Sequence, residues 1–266
     1  MADHETAATF DEAAATRLRR TYGTPTVVEQ RRRTRARLAA QPGEKLLDLG
    51  CGPGLLAVEL AEEVGPEGAV IALDPSAPMR AVTEDEVRRR DLADRVLVTD
   101  GDATALPLER GELDGAVVIQ VLEHVGDVAA ALTELHRVLR PGGRLVVVDT
   151  DWRSCVWHAA DPERAERVIA AWRSHYAHPQ LPVELEAALV RAGFVGITIE
   201  PLPLLEHRTD VDTFSLGMVG TIAAYVAEHP AVGAQDADAW RQDVRDRASD
   251  GTYFFGLCRY LFTARR

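Results

Sequence analysis

Lysine is almost missing from this 266-residue chain: of its 30 basic residues only Lys45 is lysine, and the rest are arginine. Against them stand 42 acidic residues, for a formal net charge of −12. That balance is too acidic for a non-specific nucleic-acid binder. Cysteine is scarce as well. Cys51, Cys155 and Cys258 are odd in number and far apart, which argues against a disulfide framework and a zinc cluster. No stretch of about 18 consecutive apolar residues occurs, so nothing reads as a membrane span. Met1–Phe10 carries Asp3, His4 and Glu5 in place of the basic head and apolar run of a secretory signal. The expectation is a cytoplasmic protein with no membrane partner.

What is present points to a folded enzyme-sized unit. At 46% hydrophobic and 27% charged residues the chain can bury a sizeable core, as one large domain or two small ones. Residues 1–42 read as helical and polar, closed by Pro42-Gly43. Eight arginines fall between Arg17 and Arg37, against one acid, Glu29. Such a run is most often a solvated helix face; attraction of an anionic substrate or of a partner subunit is the sharper alternative.

From Lys45 the rhythm changes. Leu46–Leu49, Ala69–Leu73, Val96–Val98, Ala116–Ile119 and Leu145–Val148 are short, continuously apolar runs. Between them lie helical stripes such as Leu56, Leu60 and Val64, a Ser76–Arg90 helix with Ser76 as cap, and Val128, Leu132, Leu135 and Leu139. Strands that alternate with helices pair in parallel, and right-handed crossovers wind helices onto both faces. Beyond Asp149 the pattern loosens. Asp151–Gln180 is rich in tryptophan and histidine, Pro182–Ala192 reads as a helix, and Phe194–Ile199 and Tyr253–Phe262 read as strands six and seven. Arg208–Asp250 is mostly helical by spacing.

The strongest local signal is Asp48-Leu49-Gly50-Cys51-Gly52-Pro53-Gly54. A strand runs into glycines and the glycines into a helix, which lets the backbone approach a ligand closely. A dinucleotide fingerprint needs a third glycine where Leu55 stands, which disfavours a nicotinamide-dependent oxidoreductase. Asp74 closes the second strand, where an acid can accept from both hydroxyls of a ribose. Asp102-Ala103 follows the third strand, where an acid can accept from an exocyclic adenine amine and the Ala103 N–H can face a ring nitrogen. The three together describe an adenosine site.

With these motifs the chain resembles the class I S-adenosylmethionine-dependent methyltransferases, over roughly residues 43–150, and most of all the ubiquinone- and menaquinone-type and other small-molecule enzymes. The resemblance implies an α/β fold with a doubly wound, seven-stranded, mostly parallel Rossmann-like sheet. Its seventh strand would be antiparallel beside the fifth. It implies S-adenosylmethionine as cofactor, with Asp48, Gly50, Cys51 and Gly52 at the methionine part, Asp74 and Pro75 at the ribose, and Gly101, Asp102 and Ala103 at the adenine. Met79 would pack on the adenine, and Gln120 would meet the cofactor at the end of strand four. Residues 1–42 then form an N-terminal helical cap on a domain spanning 43–266, and 208–250 form a lid between the last two strands.

Methyl transfer from a sulfonium is one in-line displacement, so alignment and water exclusion carry most of the catalysis. A base is needed only where the acceptor must lose a proton. His124, after strand four, is the candidate base. Trp152, Trp157 and His158, after strand five, are candidate substrate-lining residues with Tyr22 of the cap. His175 and His178 have i, i+3 spacing, but Pro179 interrupts and no third ligand is signalled, so no metal is expected. The expected activity is methylation of a small molecule on carbon, oxygen or nitrogen by a monomer or homodimer, without nucleic acid. A fold member repurposed for another reaction or binding role, and a methyltransferase acting on protein or RNA, are the alternatives.

Overall fold

Apolar runs without alternation make strands buried on both faces, and the centre of the sheet is built from such runs. The computed structural model describes residues 19–207, 209 and 212–266. Its strands are β1 (Lys45–Leu49), β2 (Ala69–Leu73), β3 (Val96–Thr99), β4 (Leu113–Ile119), β5 (Leu139–Trp157), β6 (Val195–Glu206) and β7 (Phe255–Arg265). They form one sheet in the order β3-β2-β1-β4-β5-β7-β6. The first five run parallel, and β7 is antiparallel to both β5 and β6. The doubly wound order is the one the sequence pattern predicts, and the seventh strand, antiparallel beside the fifth, is the one the resemblance implied. The chain reverses direction across the sheet at β1, whose neighbours are β2 and β4, and that switch point opens the crevice where ligands bind in such folds.

The helices are α1 (Pro25–Leu38), α2 (Leu55–Val64), α3 (Ala77–Arg89), α4 (Val128–Val138), α5 (Pro162–Trp172), α6 (Pro182–Arg191), α7 (Phe214–Ala227) and α8 (Gly233–Asp250). Their apolar stripes bury Leu132, Leu135, Leu185 and Leu189 on one face of the sheet, and Leu38, Leu56, Leu60 and Val64 on the other. Ser76 caps α3 as its sequence suggested: its hydroxyl accepts the Met79 N–H at 3.4 Å. Among the described residues no helix is long and apolar enough to cross a membrane. Residues 1–18 of the expected cap, and 208, 210 and 211 of the expected lid, lie outside the described residues.

Beyond β4 the elements are longer than the sequence pattern suggests. β5 does not stop near Val148 but pairs with β7 as far as Trp157, with a bulge between Asp151 and Val156. The bulged stretch carries Asp151 and Arg153, and their charge hides the strand. The aromatic segment contains α5, whose start has a signal in Asp161-Pro162: the Asp161 side chain accepts the Arg164 N–H at 2.9 Å, and Pro162 occupies the first turn.

The arginine run turns inward onto the body of the molecule. Arg31 pairs with Glu59 at 3.2 Å and Arg35 with Glu63 at 2.6 Å, both on α2. Arg33 and Arg37 both reach Glu200 on β6. Arg32 alone of this group pairs within its own helix, with Glu29. Pairs at such exposure contribute roughly 0–1 kcal/mol each, so they set the docking angle of α1 while Val27 and Leu38, both buried, supply most of the cohesion.

One buried carboxylate joins α1, the sheet and α7. Glu206, at the end of β6, accepts from Thr26 Oγ1 at 2.6 Å and from the Phe214 N–H at 3.1 Å through Oε1. Its Oε2 accepts from the Ser215 N–H at 2.8 Å and from the Ser215 hydroxyl at 2.5 Å. Negative charge at a helix start is favourable, and each unpaired donor left behind is costly. Glu206→Ala should therefore destabilise the fold by about 3 kcal/mol, lowering the melting temperature by roughly 6–12 °C. A shift below about 1 °C in a calorimetric scan would show that this junction carries no load.

Candidate active site

The crevice begins at the turn between β1 and α2. Gly50, Gly52 and Gly54 all have positive φ (70°, 52° and 76°), a region that side chains rarely adopt. At Gly50 a Cβ would also stand 2.2 Å from Val121 Cγ2. The Gly50 and Cys51 N–H groups donate to the Leu73 carbonyl at 2.7 and 3.1 Å, which pins the turn to the end of β2. Asp74 locks it from the side. Its Oδ2 accepts the Gly52 N–H at 2.9 Å and its Oδ1 the Ser76 N–H at 2.8 Å, leaving further lone pairs on both oxygens.

Around this turn lies a cavity of about 950 Å³. It gathers the expected cofactor residues into one space: Asp48, Gly50, Cys51, Gly52, Asp74, Pro75, Met79, Gly101, Asp102, Ala103 and Gln120 all line it. Asp48 is buried with its Oδ2 lacking any partner, and burial, then the Asp74 charge, pushes its carboxyl up to about 7. Asp102 is exposed and accepts the Thr104 N–H and hydroxyl through Oδ1 at 2.7 and 2.8 Å, bonds that hold its carboxyl below the usual range. Gln120 is a non-glycine residue at φ 53°, the kind of local strain that concentrates at functional sites. Burial pushes the Cys51 thiol well up, so it is no nucleophile. Gln30 and Arg31 of α1 also line this space; the alternation of the crevice strands gave no sign of them.

A second cavity of about 450 Å³ adjoins the first. The two share Tyr22, Met79, Gln120 and His124 as their common wall. Glu123, Trp172, His175 and Tyr176 close one side, and Phe214, Gly217, Met218 and Thr221 of α7 close the other. Its aromatic rings hold one another. His175 stacks on Trp172 with centroids 4.6 Å apart, and His124 packs against Tyr176 at 4.9 Å. Burial, then the neighbouring His175, pushes the His124 pKa down, so its imidazole is neutral near pH 7.

The residues expected to line a substrate separate in space. Tyr22 and His124 face both cavities. Trp152 stands one layer back: it is buried, stacks on Tyr176 at 4.9 Å and donates its indole N–H to Glu123 Oε2 at 3.2 Å. Trp157 and His158 line neither cavity. The extended β5 carries them past the crevice to the α8 layer, where Trp157 packs edge-on against Trp240 at 5.3 Å and donates to the Tyr253 hydroxyl at 3.1 Å. His158 lies exposed there, its Nδ1 2.8 Å from the Thr252 carbonyl. Trp172, from the same aromatic segment, lines the chamber in their place. His175 and His178 part company: His175 lies on Trp172, whereas His178 Nε2 faces the Gly126 carbonyl at 3.4 Å.

Residues 47–147 match the model of a methyltransferase domain. Over 235 residues the chain is 41% identical to an uncharacterized 37.1 kDa protein in transposon Tn4556 of Streptomyces fradiae, covering 86% of this chain and 64% of that protein. Over 120 residues it is 39% identical to the demethylmenaquinone methyltransferase of Lactiplantibacillus plantarum, covering 45% of this chain and 51% of the relative. The chain thus spans between about half and two thirds of the length of these relatives. Among solved structures, the phosphoethanolamine N-methyltransferase 2 of Haemonchus contortus superposes on 98% of this chain and 58% of its own, with TM-score 0.64 at 18% identity, a likeness of fold. The matched domain begins within β1 and ends within β5, and so contains the glycine turn, Asp74 and Asp102. Over residues 47–147 the chain is thus similar to methyltransferase domains, and over nearly its whole length it shares the fold of a solved methyltransferase.

Proposed function

We propose that this protein transfers the methyl group of S-adenosylmethionine to a small, largely apolar or aromatic acceptor held in the second cavity. The observation that carries the reading is the shared wall: a cofactor-sized crevice and a smaller aromatic chamber meet at Tyr22, Met79, Gln120 and His124. The crevice residues suit an adenosine-bearing ligand. Asp74 retains acceptor capacity for two ribose hydroxyls, Asp102 presents an ionised oxygen beside the Ala103 backbone, and Asp48 lines the crevice with an unpartnered Oδ2. The bound cofactor would supply an activated methyl group on a sulfonium. The protein's part is then to align an acceptor with it and to keep water out.

The chamber lies within the size range of small-ligand pockets, and its rings suit a planar acceptor. That agrees in kind with the quinone named for the Lactiplantibacillus relative. Of the expected cap and lid, the described parts 19–42 and 212–250 close the chamber: Tyr22 enters from one, and Phe214, Gly217, Met218 and Thr221 from the other. Both cavities are lined by one chain, so a monomer suffices for the reaction. With Arg31, Arg33, Arg35 and Arg37 engaged by glutamates of the same chain, the run offers little to nucleic acid. Cys51, Cys155 and Cys258 are all free thiols, as a reducing cytoplasm leaves them.

Asp74→Ala should weaken S-adenosylhomocysteine binding about 100-fold in calorimetry, since it removes a charged acceptor of two hydrogen bonds. Asp102→Ala, at an exposed position, should cost about tenfold. Unchanged affinity in the Asp74 variant, with its circular dichroism intact, would sink the site assignment. Met218→Trp fills the chamber from α7. It should leave S-adenosylhomocysteine affinity within about twofold while abolishing methylated product from aromatic hydroxy acceptors, read by mass spectrometry. Full product formation would place the acceptor elsewhere.

A further inference from the structure

Behind the shared wall lies a cluster of buried charges that the alignment chemistry does not use. Glu123, in the short turn after β4 (Leu122–His124), is only 1% exposed yet lines the second cavity. Its Oε2 is held by the Trp152 indole at 3.2 Å, and its Oε1 lies 4.0 Å from His124 Nε2. Deeper, on β5, Asp149 is fully buried and neither of its oxygens has a hydrogen-bond partner. Across from them, on β7, Arg259 is fully buried too. Its Nη1 donates to Gln30 Oε1 at 2.5 Å, and its guanidinium carbon sits 4.6 Å from the centre of the Phe214 ring. Its Nε and Nη2 have no partner, and among the described residues it makes no ion pair.

Glu206, whose charge also reaches Arg259, is met by four donors of its own; the two remaining carboxyls and the one guanidinium cannot all be charged out of water without leaving an uncompensated ion. The cluster balances when one carboxyl keeps its proton. Asp149 is the one that does: burial, then the charge of Glu123, pushes it far up. Glu123 is left as the group that exchanges a proton at the chamber. Burial pushes it up to about 7, with Arg259 and the Trp152 hydrogen bond opposing. Tyr22 and Tyr176 are pushed upward and stay neutral. His124 and His175, both pushed down by burial, are neutral as well.

We infer that Glu123 takes the proton from the methyl acceptor, and that the acceptor is a neutral oxygen acid, a phenol or an enol. If the second cavity is the acceptor chamber proposed above, an acceptor hydroxyl there meets the buried carboxylate. Its proton passes to Glu123. The electron pair so released, on oxygen or on a conjugated carbon, forms the bond to the methyl carbon, and the pair of the broken carbon–sulfur bond stays on sulfur. Arg259 is a positioning residue. Its positive charge behind Phe214 favours the ionised Glu123 and an acceptor gaining negative charge, and it opposes an ammonium ion.

The test is calorimetric binding of 2-naphthol to the protein saturated with S-adenosylhomocysteine, across about pH 6 to 8, where this probe stays neutral. A hydroxyl donating to an ionised Glu123 should tighten its dissociation constant about tenfold as pH rises through that range. Its methyl ether, 2-methoxynaphthalene, should show no such rise. Glu123→Gln, of the same shape, should bind 2-naphthol weakly and independently of pH, and Glu123→Asp should restore part of the rise. Arg259→Gln should move the midpoint to higher pH; an unmoved midpoint removes Arg259 from the scheme. A flat profile in the wild-type protein, or an unchanged rise in Glu123→Gln, overturns the role of Glu123 while the chamber stands. Tighter binding of phenyltrimethylammonium than of 2-naphthol overturns the acceptor class. Failure of both probes to bind, with S-adenosylhomocysteine bound, overturns the chamber itself.

Discussion

The site depends on how the turn after β1 is held. Three glycines in left-handed conformations are entropically costly to fix, and such a turn keeps its shape only if its backbone is bonded from outside. The end of β2 does this twice, through the Leu73 carbonyl to Gly50 and Cys51 and through the Asp74 carboxylate to Gly52. The acid suited to grip a ribose is thus the acid that shapes the turn beside it. Parallel pairing of β1 with β2 brings the two together, so the crevice follows from the sheet register rather than from a separate device.

The smaller cavity is built differently. Tyr22, in the segment leading into α1, closes it together with α7, and α1 is tied down through Glu206 and the inward arginine pairs. The acidic net charge and the basic leading segment, opposed in the sequence, are therefore reconciled inside one molecule. Polar groups at this junction are individually modest in energy, yet together they fix a chamber whose walls come from distant parts of the chain. Its interior combines stacked rings with a small, nearly neutral set of buried ionisable groups, a composition suited to ionising an acceptor without admitting bulk water.

The fold between Lys45 and Val148 was legible because buried parallel strands are continuously apolar, and the residues that line the larger cavity were legible because they sit at the ends of those strands. Past Val148 the code weakens. Asp151 and Arg153 mask the continuation of β5, so Trp157 and His158 look like crevice residues although the strand carries them beyond it. Trp172 reads no differently from its neighbours until α5 is placed. Glu123 and His124 are adjacent, and only packing against Trp152 decides which of them is buried. Arg259 did leave a trace. Phe255, Leu257 and Leu261 mark the inward phase of β7, and Arg259 falls on that phase, where a charge is anomalous.

The central claim is that a methyl donor lies in the larger cavity with its sulfur at the wall shared with the smaller one. A crystal structure with S-adenosylhomocysteine tests it most directly. The account predicts ribose hydroxyls on Asp74, the adenine between Met79 and Ala103, and the sulfur at the neck formed by Tyr22, Gln120 and His124, facing an open aromatic chamber. A ligand bound with its sulfur turned away from that neck, or a chamber filled by side chains of α7, would contradict it.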